Sequence, residues 1–466
     1  MQIPILSGVY ADESSDFRAA YPVNLMPIPQ SNGISAGYLR PADGIVLSGT
    51  GPGISRGGVN WNGTCYRVMG TKLVSISSLN VVAILGDVGG TGQCFFDYSF
   101  DRLAIVSGGN LYYWDGTTLT QVTDADLGVS IDAVWVDGYF MSTDGASIVV
   151  TDIGNPLSVA TLSYASSEID PDPINSLMKL RNEIYAVNRY TTEVFRNVGG
   201  NAFPFQRIEG AQIQKGSLGT SCSCVFIETI AFLGSGRNES PGIFLGANAT
   251  ANKISTREID EILSTFPETD LSFTLLEARN TKNQNHLWVH LPDRTVVYDA
   301  NASQIIGEPV WFTLTSGVET FSTYRAKHLV WCYDKWLVGD PSSYNFGYLS
   351  DAISSHWDQP SRWEFSTSIV YNDSLGAIFN ELELVCLTGR VSSTADPLIT
   401  TSYSVDGESW SQDKAIRAGR QGERVKRLVW FQQGHMDSWR IQRFRGNSDA
   451  FLTVARLEAR LEPLAV

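Results

Sequence analysis

The chain has little that could do chemistry. Six cysteines and five histidines are spread over 466 residues, and only 18% of residues are charged. His-Glu-x-x-His and Gly-x-x-x-x-Gly-Lys-Ser/Thr do not occur, so the sequence signatures of zinc peptidases and P-loop nucleotidases are missing. No stretch reaches the ~20 apolar residues that a spanning helix needs, and no membrane insertion is expected. The start, Met1-Gln-Ile-Pro-Ile-Leu-Ser-Gly, lacks a basic segment and meets Asp12 and Glu13 before any long apolar run, so no export leader is expected there. Cysteines scattered at 65, 94, 222, 224, 332 and 386 then read as reduced, buried thiols rather than a disulfide framework.

What is present is strand and turn. Hydrophobic residues at 43%, aromatics at 11% and 42 glycines describe a folded chain with many tight turns. From about Arg56 to Asp351 short apolar strands joined by Gly, Asp or Asn turns recur every 35 to 55 residues or so, the spacing of β-propeller blades. Blade-like segments centre near Tyr66, Ile105, Tyr139, Tyr185, Ile230, Leu287 and Trp331, giving six or seven units. Asp-Gly at Asp115, Asp137 and Asp144 suggests type I′ turns, whose central residues need positive φ.

The flanks differ. Residues 1–55 are broken by prolines and read as an extended arm with little regular pairing, and removal of residues 1–40 is expected to leave a folded monomer that assembles poorly. Ser255 to Phe266 places Ile259, Ile262, Leu263 and Phe266 on one helical face, with Ser255 and Glu258 as a capping box. Past about Arg362 the repeat is lost and strands such as Phe379-Asn-Glu-Leu-Glu-Leu alternate cleanly, the pattern of a sandwich. The expected architecture is therefore all-β: an arm over 1–55, an irregular six- or seven-bladed β-propeller over 56–358 and a C-terminal β-sandwich over 359–466.

Candidate chemical sites are weak. Cys222 and Cys224 share a strand face without a nearby second ligand pair, and His286 and His290 lie ~13 Å apart if the segment is a strand. The glycine-rich Gly86 to Gln93 has no following basic residue for a phosphate and reads as a loop between blades. Ser404-Val-Asp-Gly-Glu-Ser-Trp410 resembles the Asp-box turn of sialidases with one residue missing, which keeps a glycosidase or a carbohydrate-binding propeller as alternatives. No catalytic residue, metal ligand or cofactor emerges.

Charge is the remaining signal. The net charge of −15 makes the whole chain repel nucleic acid. From Ser411 onward, however, eleven Lys or Arg face six Asp or Glu, about +5, which leaves the rest near −20. The basic run Arg417, Arg420, Arg424, Lys426 and Arg427 is the candidate partner interface, either an electrostatic dock for an acidic protein, a solvated strand face or a phosphate contact.

Pro22-Val-Asn-Leu, Gly37-Tyr-Leu-Arg, Ile54-Ser-Arg-Gly-Gly-Val, Tyr66-Arg-Val-Met-Gly-Thr-Lys-Leu and Leu85-Gly-Asp-Val-Gly-Gly-Thr-Gly stand in order along the chain. They are followed by the helix from Ile254, by His290-Leu-Pro-Asp-Arg-Thr-Val-Val-Tyr-Asp-Ala-Asn-Ala-Ser-Gln304, Val338-Gly-Asp and Asp351-Ala-Ile-Ser-Ser. In this order they resemble the packaged-DNA stabilization proteins, or tail hubs, of short-tailed lambdoid phages that infect Salmonella. The resemblance implies a non-catalytic virion tail protein, assembled in the host cytoplasm as a homo-oligomer, a hexamer in the type member. Its implied partners are the head-to-tail adaptor, the tail needle or plug and the tailspike, with no sequence-specific nucleic-acid contact.

Overall fold

The structure, a computed structural model, describes every residue except 12–16, 31–32, 168, 201–202, 283, 374, 392–394, 448–449 and 465–466. Seven antiparallel sheets follow one another. Blade one holds Ser55–Trp61, Thr64–Met69, Lys72–Ile76 and Val82–Asp87; blade two runs from Phe95–Tyr98 to Leu119–Gln121, and blade three from Asp132–Val136 to Tyr164–Ser166. Blade four spans Ile174–Leu180 to Phe205–Arg207. Blade five opens on two short strands, Gly216–Ser217 and Ser223–Phe226, and blade six spans Leu275–Thr281 to Val310–Leu314. Each of the seven sequence centres falls in its own blade.

Blade seven closes the wheel with a borrowed strand. Lys327–Cys332, Lys335–Gly339 and Asn345–Ser350 take Gly44–Thr50 as their fourth strand, in antiparallel register from Asn345 opposite Thr50 to Ser350 opposite Gly44. The innermost strands contact one another in sequence right round, with Lys327–Cys332 returning to Ser55–Trp61. Each fully buried large side chain of the inter-blade cores, Trp288 and Phe312 among them, contributes about 1.5–3 kcal/mol.

A recurring polar device also joins blades. A carboxylate on one inner strand accepts a backbone N–H of the next: Asp97 from Trp135 at 2.6 Å, Asp132 from Leu177 at 2.8 Å, and Glu277 from His328 at 3.0 Å and Leu329 at 2.6 Å. Elsewhere the amide of Asn60 donates to the Trp331 carbonyl at 2.8 Å and Ser176 meets Ser223 at 2.6 Å. Unpaired backbone groups at the blade seams would otherwise be costly, and these side chains satisfy them.

The sandwich uses residues from both ends of the chain. Its first sheet runs in the order Leu25–Ile28, Tyr38–Pro41, Thr453–Pro463, Ala377–Leu387, Leu428–Phe431, with Gln2–Ile3 beside Thr453–Pro463. Its second sheet is Arg362–Ser366, Trp439–Asn447, Leu398–Ser404 and Lys414–Arg417. Ile3, Ile5, Leu25 and Leu39 join one core with Trp363, Phe365, Leu382, Trp430 and Phe444. The expectation of an arm with little regular pairing is thus corrected: Gly8–Ala11 pairs with Phe17–Ala20 and Leu25–Ile28 with Tyr38–Pro41, while Gln2–Ile3, Leu39 and Gly44–Thr50 pair with strands distant in sequence. Pro27 and Pro41 are tolerated because Leu25–Ile28 is an edge strand and Pro41 ends its own.

Two local expectations also change. The helix is α1, Arg257–Ser264, and its cap is Thr256, whose hydroxyl accepts from the Ile259 N–H, rather than Ser255. The Ser255 hydroxyl is already committed, accepting from the Ile243 N–H at 3.1 Å and donating to Asp260 at 2.7 Å. Two further short helices follow, α2 (Glu268–Leu271) and α3 (Ala300–Ile306). Of the Asp-Gly turns, only Asp137-Gly138 has both residues at positive φ, 48° and 92°. Asp115 and Asp144 act through their carboxylates, which accept amides two and three residues on at 2.7–2.8 Å.

Candidate partner interface

The five basic residues lie at the end of strand Lys414–Arg417 and on the loop that leads to Leu428–Phe431. Glycines shape this loop, since Gly419 and Gly422 sit at φ +108° and +86°. It is pinned from below: the Thr388 hydroxyl donates to the Glu423 carbonyl at 2.8 Å, Ala418 is buried, and a Cβ on Gly389 would meet the Glu423 backbone at 2.9 Å. The charged ends therefore project from a fixed base.

Most of that charge is matched within the sandwich. Arg417 reaches Asp396 at 2.6 Å, Arg420 the same carboxylate at 3.4 Å, and Lys426 lies 3.7 Å from Glu423. Arg427 spans Glu383 at 2.6 Å and Glu381 at 3.5 Å, and its hydrogen bond and charge hold the Glu383 carboxyl below its ordinary range. Arg424 alone among the five has no carboxylate partner among the described residues. Beside it Val425 is 94% exposed at the loop tip, and Phe431 is 67% exposed.

Further along the basic tail, Arg440 turns inward and Arg443 is covered by a ring. Arg440 is buried between the rings of Phe379 at 4.0 Å and Tyr403 at 3.8 Å, and donates to Gln433 O and Gln442 Oε1. Burial pulls its guanidinium down to about 9. Arg443 stacks over Trp410 at 3.9 Å, while Arg445 is paired with Asp413. Of the aromatics between them, Trp430 and Phe444 are core.

The weaker chemical candidates resolve into structure. Cys222 is buried among carbonyls of residues 271 to 274, where burial pushes its thiol up to about 12. His286 and His290 go to different carboxylates, Asp299 at 3.2 Å and Glu277 at 3.0 Å. Among the described residues no group of three His, Cys, Asp or Glu could hold a metal ion. The glycine-rich segment presents carbonyls rather than amides: Gly89 and Gly92, with Gly70, accept from the Arg56 guanidinium at 2.7–2.9 Å. In the Asp-box-like turn the Ser409 and Ser404 hydroxyls, and then the Ser409 and Glu408 amides at 2.9 and 3.0 Å, donate to Asp406 and hold its carboxyl well below its usual range, a structural turn.

A seven-bladed wheel clamped to a sandwich, with its polar groups spent on structure, defines a rigid scaffold protein. A model of the family described as "Bacteriophage P22 Gp10, beta-propeller" matches residues 1–354, and one described as "Bacteriophage P22 Gp10, beta-sandwich" matches 362–462. The chain belongs to this family of phage tail hub proteins, structural components of the virion tail. The tail hub protein gp10 of Salmonella phage P22 is 27% identical over 481 residues, 99% of each chain. Among solved structures, PorZ of Porphyromonas gingivalis, a surface component of the type-IX secretion system, covers 79% of this chain and 46% of its own at 12% identity and TM-score 0.39. The Neurospora crassa Pan2 WD40 domain covers 63% of this chain and 89% of its own at 9% identity and TM-score 0.40. Scores that low add nothing to the assignment. None of these matches supports a glycosidase.

Proposed function

We propose that the chain is one subunit of a homo-oligomeric ring, six copies by the family resemblance, seated below the portal and its adaptor. The ring retains packaged DNA and offers attachment points to the tail needle or plug and to tailspikes. Retention is mechanical: a closed, stiff ring with a plug blocks the exit without reading bases, which suits a chain of net charge −15. The observation that carries the reading is the full-length match to a tail hub protein. A wheel locked by a borrowed strand and riveted to its sandwich supports it, because a subunit loaded by genome pressure must not open. In this reading Arg417, Arg420, Arg424, Lys426 and Arg427 face an acidic partner protein, with Arg424 the most available of them. DNA-filled particles made without this chain should lose their genome, and purified chain added back should restore nuclease resistance. Particles that keep their DNA without it would refute the reading.

A further inference from the structure

Arginines and lysines in this structure are mostly spoken for, by carboxylates, carbonyls or rings. Arg390 and Arg424 are exceptions, with no such partner among the described residues. They are far apart in sequence, yet they line one cleft of about 450 Å³ at the seam of the two domains. One wall is the segment Asp351 to Ser355 that leaves blade seven, and the other is Gly389 to Val391 with Gln421 and Phe451. The only carboxylate among the described lining residues, Asp351, is paired with Lys282 and with Arg40 at 3.4 Å, and the Lys282 bond and charge hold it below its ordinary range. Arg390 and Arg424 thus line one cleft without a carboxylate partner among the described residues, and paired guanidinium groups suit carboxylates in bidentate geometry.

A second cleft of about 440 Å³ adjoins it through Asp351 and carries Trp331, 48% exposed and 5.4 Å from the ring of Trp336. Arginine and half-exposed tryptophan in adjoining clefts are residue types that anchor interfaces. We propose that this double cleft receives carboxylate side chains from the propeller of a second copy of the chain. Charge complementarity selects that occupant: residues 56–358 hold 19 Lys or Arg against 32 Asp or Glu, about −13, so another copy offers an acidic propeller to the two unpaired arginines at this seam. Contact between two unlike faces is heterologous, and repeated around an axis it closes a ring. This occupant presupposes the ring arrangement proposed above.

The test uses the full chain. Arg390→Glu with Arg424→Glu should weaken self-association by about tenfold or more in sedimentation velocity, at unchanged melting temperature because both side chains are exposed. Arg390→Lys with Arg424→Lys should keep much of the association. Carbodiimide treatment of that lysine variant, mixed from light and ¹⁵N-labelled chains, should give peptides joined between a light and a heavy copy. If the glutamate variant assembles as the wild type does, the cleft assignment is overturned while the ring reading stands. Cross-links running only to a different virion protein also overturn it. A wild-type chain that stays monomeric on the assembled tail overturns both.

Discussion

The carboxamide of Asn24 closes a two-way bond with Thr315: its Oδ1 accepts the Thr315 N–H at 3.1 Å and its Nδ2 donates to the Thr315 carbonyl at 2.9 Å. The same Nδ2 donates to the Arg362 carbonyl at 2.7 Å. Thr315 follows the last strand of blade six and Arg362 opens the sandwich, so one side chain from the chain's start pins both domains. Its neighbour Val23 repeats the bridge through the backbone, donating to Glu364 O at 2.8 Å while the Asn24 N–H donates to Thr313 O at 2.8 Å.

Asn24→Ala should therefore be costly. It leaves one N–H and two carbonyls without their partner and puts alanine at φ +51°, where asparagine is tolerated. The expected loss is about 3 kcal/mol, read as a shift of the denaturant midpoint. Asn24→Asp, which keeps the backbone preference and the acceptor but loses the donor, should fall between. Equal midpoints for wild type and Asn24→Ala would refute the role.

Deleting residues 1–43 should unfold the sandwich rather than release an intact body. The deletion removes strands Leu25–Ile28 and Tyr38–Pro41 and exposes the core around Trp363 and Phe365. Extending it through Thr50 should also open blade seven, whose strand Asn345–Ser350 would become a bare edge prone to aggregation. Tryptophan fluorescence and limited proteolysis distinguish the two cuts. A 1–43 deletion with native fluorescence and wild-type protease resistance would show that the strands are dispensable.

The blades were legible because each is built from neighbouring residues: short alternation and turn residues are local signals, and all seven centres carried them. The N-terminal strands were not, because Gln2–Ile3 pairs with Leu457 and Glu458 and Gly44–Thr50 with Asn345–Ser350, and no local pattern announces so distant a partner. The ion pairs within the basic patch were hidden for a similar reason. A count begun at Ser411 leaves out Glu381, Glu383 and Asp396, the carboxylates that neutralise Arg417, Arg420 and Arg427. Arg390 lay outside the same window, so its meeting with Arg424 depended on the fold alone.

Two buried groups give stability opposite pH slopes. Burial pushes Asp132, between blades three and four, up to about 7, against the two backbone amides it accepts. An acid with a raised folded pKa holds its proton more tightly in the native state. Its contribution is full below its unfolded value of ~3.9 and is lost as pH rises toward 7. His328, at the closure of blade seven on blade one, contacts Ser55 and Gln93 at 3.0 Å, and burial holds its imidazole down to about 3. Glu277 opposes that shift, while Arg67, Lys327 and His290 reinforce it. Here the unfolded chain takes the proton first, so stability is full above ~6.5 and is lost as pH falls toward 3. Asp132→Asn should flatten the decline between about pH 4 and 7, and His328→Asn, which suits its φ of +60°, should flatten the acid limb. Denaturant midpoints across this range check both, and profiles parallel to wild type would refute the assignments.

Arg427 and Arg424 separate folding from docking on one loop. Reversal at Arg427 sets a third carboxylate against Glu383 and Glu381, so Arg427→Glu should lower the melting temperature as well as any partner affinity. Arg424 has no such neighbour, and Arg424→Glu should change affinity alone. Glu383→Gln combined with Arg427→Gln should recover most of the lost melting temperature, because it removes the repulsion and leaves no charge stranded. Melting curves measured beside a salt-dependent binding assay decide the matter: if Arg424→Glu costs as much stability as Arg427→Glu, the pairing on this loop does not set its rigidity, and the distinction between its two arginines fails.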